Sequence, residues 1–113
     1  MKQDINTDWQ AMESIERAKL ITETAKIRWQ ELEVCFARGA VVYVSSQLDL
    51  VDVAYAISID DLKKVEQWIE NGSVLRQFDD QAAVWAEEDA TVWCVVVRPW
   101  VLVQPLADMR VLN

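Results

Sequence analysis

The chain has 113 residues and a mass of 13.0 kDa, the size of one domain able to bury a single core. Its 11 Lys and Arg against 19 Asp and Glu leave a formal charge of −8, which argues against a nucleic-acid backbone or an anionic membrane as partner. Histidine is absent, so Ser-His, Cys-His and His-metal schemes are excluded together.

The remaining composition is that of a folded domain, 52% hydrophobic and 27% charged. With only 2 Gly and 2 Pro, helix and short connections are expected. Cys35 and Cys94 have apolar neighbours and read as reduced, buried thiols rather than a disulfide. Residues 1–19 carry no apolar targeting core, and the run Val92–Val97 is too short to span a membrane, so a cytoplasmic location is expected.

Residues 8–38 predict helix, opened by a Thr7/Gln10 capping box and broken near Ile27–Arg28, with Gly39 ending it. Trp9, Met12 and Ile15 recur on it at helical spacing, and a second stripe continues through Ala25, Trp29, Leu32 and Phe36. Residues 40–44 predict a strand covered on both faces. Ser46 and Asp49 predict the cap of a helix through Ile57, and Asp60-Asp61 the start of another ending at Gly72. Residues 73–78 alternate as a strand, and Asp79-Asp80 open a short helix.

Two apolar runs follow, 91–97 and 100–104, separated by Arg98-Pro99. A hairpin is one solution, but Pro99 cannot supply positive φ for a tight primed turn, which favours a longer connection or a bent strand. Helix, glycine and strand occur in that order twice, at Gly39 and Gly72. The expected class is α+β or α/β: a 3–4 stranded sheet with interleaved helices and a helix-rich N-terminal half. Residues 1–19 read as an N-terminal extension, 20–105 as the domain and 106–113 as a tail.

No catalytic motif emerges. The closely spaced glycines of phosphate loops and nucleophile elbows are missing. Asp60, Asp61, Asp79 and Asp80 are candidate metal-binding carboxylates, although their positions at helix starts are explained by capping and the helix dipole. Glu87, Glu88 and Asp89 oppose the dipole at a helix end, and read as a solvated guard for the apolar strand that follows.

From Leu20 onward the chain resembles a small bacterial family known only as a domain of unknown function. The resemblance is carried by Glu23-Thr24-Ala25-Lys26-Ile27, by Trp29, Glu31 and Leu32, and by Phe36-Ala37 with Gly39. It continues through Leu48-Asp49-Leu50-Val51, Val53-Ala54, Trp68 with Gly72, and the block Trp93 to Gln104. Members often carry Pro where this chain has Arg28, which fits a break there. The resemblance implies a cytoplasmic bacterial protein and brings no site residues.

The reading that follows is a non-enzymatic protein-interaction module without cofactor, homodimeric or bound to a basic partner. Six Trp are many for so small a domain to hide. Its candidate interface is Trp93, Trp100, Val101 and Val103. The competing reading is a carboxylate-based metal- or ligand-binding protein or an enzyme.

Overall fold

The two apolar runs near the end of the chain form the middle of the sheet. In the computed structural model, which describes residues 2–106, β4 (Thr91–Val97) and β5 (Trp100–Pro105) pair antiparallel from Val97↔Trp100 to Val92↔Pro105. The hairpin is therefore made, and with only two residues between its strands. The Arg98–Pro99 peptide is cis, as in type VI turns, so no positive φ is needed.

Around this hairpin the sheet has five strands in the order β1-β4-β5-β2-β3, one more than the upper expectation. β1 (Ala25–Arg28) pairs antiparallel with β4, and β2 (Val41–Val44) lies parallel to β5. β3 is only Val74–Leu75, antiparallel to β2. The extra strand is β1, where a helix with a break was expected. It follows α1 (Lys2–Glu23), an uninterrupted helix in which Thr7 is an interior residue, so the expected capping box is not its start.

A 3-10 turn (Trp29–Leu32) and the short α2 (Glu33–Ala37) then lead to Gly39, whose φ of +79° provides the left-handed turn expected of it. α3 (Leu50–Ser58) is capped by Asp49, whose side chain accepts from the Val51 amide. Ser46 thus lies outside the cap, in the loop before it. α4 (Leu62–Glu70) is capped by Asp61, which accepts from Lys64, while Asp60 sits before it at φ 59°. In α5 (Asp79–Glu88) the expected strand residue Phe78 is the buried residue that precedes the helix.

Alternation along the strands sends side chains into two cores, making three layers. On one face Val42, Val44, Val95 and Leu102 meet Leu20 of α1 and Leu50, Val53 and Ala54 of α3. On the other, Val41, Val92 and Val103 meet Trp29, Leu32, Phe78 and Trp85. The three interior strands are therefore covered on both sides, which is why β2, β4 and β5 read as near-continuous apolar runs.

Candidate functional site

The sequence-predicted interface is largely interior. Val103 is fully buried in the second core and Val101 packs against it. Trp93 and Trp100 lie against the first core, each half-covered by a cation: Lys26 Nζ lies 5.2 Å from the Trp93 ring and the Arg76 guanidinium 4.7 Å from that of Trp100. Of the four, only Val103 is fully buried; Trp93, Trp100 and Val101 are half-buried.

The acidic residues are dispersed. Asp61 is a cap, Asp79 and Asp80 occupy the exposed first turn of α5, and Glu87 and Glu88 face solvent. Asp89 ends α5 in the left-handed conformation and accepts from Arg28 at 2.9 Å. That bond is the main reason the Arg28 guanidinium holds its proton more firmly than usual. Among the described residues, no three Asp, Glu or Cys side chains come together as a metal site.

Both thiols are free and half-buried, as expected. Burial, and secondarily the field of Cys35, push the Cys94 thiol up to about 11. Two units above the ordinary 9.0 leave about 100-fold less thiolate at pH 8. Alkylation of the native protein followed by peptide mapping should therefore label Cys94 about 100-fold more slowly than after unfolding. The same shift has a defined sign for stability. The folded state holds this proton more tightly, so the contribution is intact below pH 9 and is lost as pH rises towards 11.

Two shallow clefts are present among the described residues. One, of about 420 Å³, follows the free edge of β1 over Ala25, Ile27, Cys94 and Val96 and is bordered by Glu23 and Glu31. The other, of about 260 Å³, lies beside the Arg28–Asp89 pair. The first takes in the Cys94 thiol, which burial keeps protonated, and neither gathers an activated base or, among the described residues, a set of metal ligands.

The largest unexplained surface lies on α1. Trp9, Met12 and Ile15 are 67%, 61% and 68% exposed. The helix is fastened to the body through Leu20 and through Arg17, which donates to Asp52 at 2.6 Å and to Glu13 at 3.0 Å and lies 4.7 Å from the Tyr55 ring. Helical spacing alone placed Trp9, Met12 and Ile15 on one stripe without deciding whether it is buried. The signal that separated them from the core was that the family resemblance starts only at Leu20.

The family match begins five residues earlier than that resemblance, at Ile15. The model of a family described as "Protein of unknown function (DUF2288)" matches residues 15–105, and the chain belongs to this family. The solution structure of PA1075 from Pseudomonas aeruginosa is similar at 46% identity, with a TM-score of 0.74 over 85% of this chain and 89% of that one. No curated protein matches. No helix of the described residues is long and apolar enough to cross a membrane.

Proposed function

We propose that this protein is a non-enzymatic interaction module of the cytoplasm that associates with a second copy of itself through α1. The observation that carries the reading is the exposure of Trp9, Met12 and Ile15 on one helix. The two free thiols support the location. A two-fold contact is self-complementary here: crossing two antiparallel helices at Met12 sets Trp9 of one copy against Ile15 of the other.

Burying a side chain of this size contributes about 1.5–3 kcal/mol. Six such side chains across the two-fold outweigh an association cost of about 4–15 kcal/mol by a modest margin. At the middle of both ranges the surplus is about 4 kcal/mol, a dissociation constant on the order of millimolar, so the dimer should fill only at high protein concentration. Each copy carries −8, so screening their repulsion with salt should tighten the dimer.

Size-exclusion light scattering across concentration tests this. The wild type should approach twice 13.0 kDa, whereas a Trp9→Ser, Met12→Ser, Ile15→Ser variant should stay at 13.0 kDa with an unchanged melting temperature. A wild type that remains monomeric at every concentration overturns the reading.

A further inference from the structure

α4 differs from its neighbour α3 in one respect. α3 buries Leu50, Val53, Ala54 and Ala56, whereas α4 buries none of its residues, although Leu62, Val65, Trp68 and Ile69 recur at helical spacing. Trp68 lies against the first core, but the outer edge of this stripe does not: Leu62 is 65% exposed and Ile69 44%, and Ile59 just before the helix is 51% exposed. Leu62 and Ile69 are seven residues apart, about 10 Å along the same side of the helix.

The charges beside this row are acidic. Glu66 and Glu70 stand one and two turns after Leu62, and the exposed Asp60 precedes it. Glu66 and Glu70 lie about 40° and 80° round from Leu62. Lys63 at about 100° shares their flank while Lys64 at about 200° does not, so with Asp60 the flank carries three acids and one lysine. The ion pairs among the described residues are Arg17 with Glu13 and Asp52 and Arg28 with Asp89, and none of them takes in Glu66 or Glu70.

We infer that the Leu62–Ile69 face of α4 is a docking surface for a basic amphipathic helix of another protein. Apolar anchors at helical spacing would lie on Leu62 and Ile69, and Lys or Arg beside them would meet Glu66 and Glu70. A second copy is the wrong occupant. A symmetric contact would bring two sets of Glu66 and Glu70 together between chains that each carry −8. This surface is separate from α1, so its test does not depend on the dimer.

The test uses the full chain and a 14-residue helical peptide of Leu and Lys in three-four spacing, with a Glu-for-Lys peptide as control, followed by amide chemical shifts. The Lys peptide should shift the amides of residues 59–70, and the Glu peptide should not. Leu62→Ser with Ile69→Ser should weaken binding at least 10-fold, and Glu66→Lys with Glu70→Lys should weaken it similarly while admitting the Glu peptide. All four side chains are exposed, so these variants should keep the wild-type circular dichroism. Shifts centred on α1, unchanged affinity in the Leu62→Ser, Ile69→Ser variant, or a fall in its mass by light scattering would each overturn the inference.

Discussion

Replacing Trp29 with Ala should lower stability by about 3–5 kcal/mol, the range for deleting a fully buried large aromatic. Trp29 is 1% exposed and stands at the centre of an aromatic cluster. Its ring lies 5.3 Å from Phe36 at 66° and 5.2 Å from Trp85 at 57°, with Phe78 at 6.0 Å. Such inclined pairs add about 0.5–1.5 kcal/mol each beyond the area they bury. A domain of this size has about 5–15 kcal/mol in total, so the variant should melt at least ~15 °C lower or fail to fold. Trp9→Ala is the control. Exposed on α1, it should change monomer stability by no more than about 0.5 kcal/mol. Equal losses at the two positions would contradict the packing described above.

The second large effect is expected at Gln104, a buried polar side chain of β5. Its Nε2 donates to the Ser45 carbonyl at 2.9 Å and to the Leu48 carbonyl at 2.7 Å, tying the sheet to the loop between β2 and α3. Gln104→Leu preserves bulk but leaves the Leu48 carbonyl without its partner, at about 1–3 kcal/mol, while the Ser45 carbonyl keeps the Leu48 amide. A loss of about 1–3 kcal/mol in urea unfolding is expected. The loop should also loosen, so the Leu48 amide, which donates to Ser45 in the same turn, should exchange faster than amides of β4. Unchanged exchange at Leu48 would mean that the turn holds itself without the glutamine.

The fold class was legible because the central strands carry their burial in their composition. Val41–Val44 and Thr91–Val97 are apolar on both faces and could only be covered strands. β1 was not legible for the opposite reason. Only Ile27 among its four residues is half-buried, while Ala25, Trp29, Leu32 and Phe36 continue a helical spacing straight through it. Pairing to β4 imposes its extended state, and nothing local announces that. The cap of α3 was misplaced between two good candidates, Ser46 and Asp49, which only the loop geometry separates. The exposed side chains of α1 were not singled out because exposure was inferred from abundance of tryptophan. Trp29 and Trp85 fill a core, whereas the exposed Trp9 lies on the part of α1 ahead of the family match.

Strand order also dictates how the molecule can be assembled. β1 and β2 emerge early in synthesis, yet they are separated in the sheet by β4 and β5, the last two strands to be made. Only β2 with β3 can pair beforehand, and two residues of pairing are too few to hold. Most of the sheet must therefore form after translation of residue 105, through contacts distant in sequence. Folding should be slow for a chain so rich in helix, with the valines of β2 exposed to chaperones or to aggregation until the hairpin closes over them.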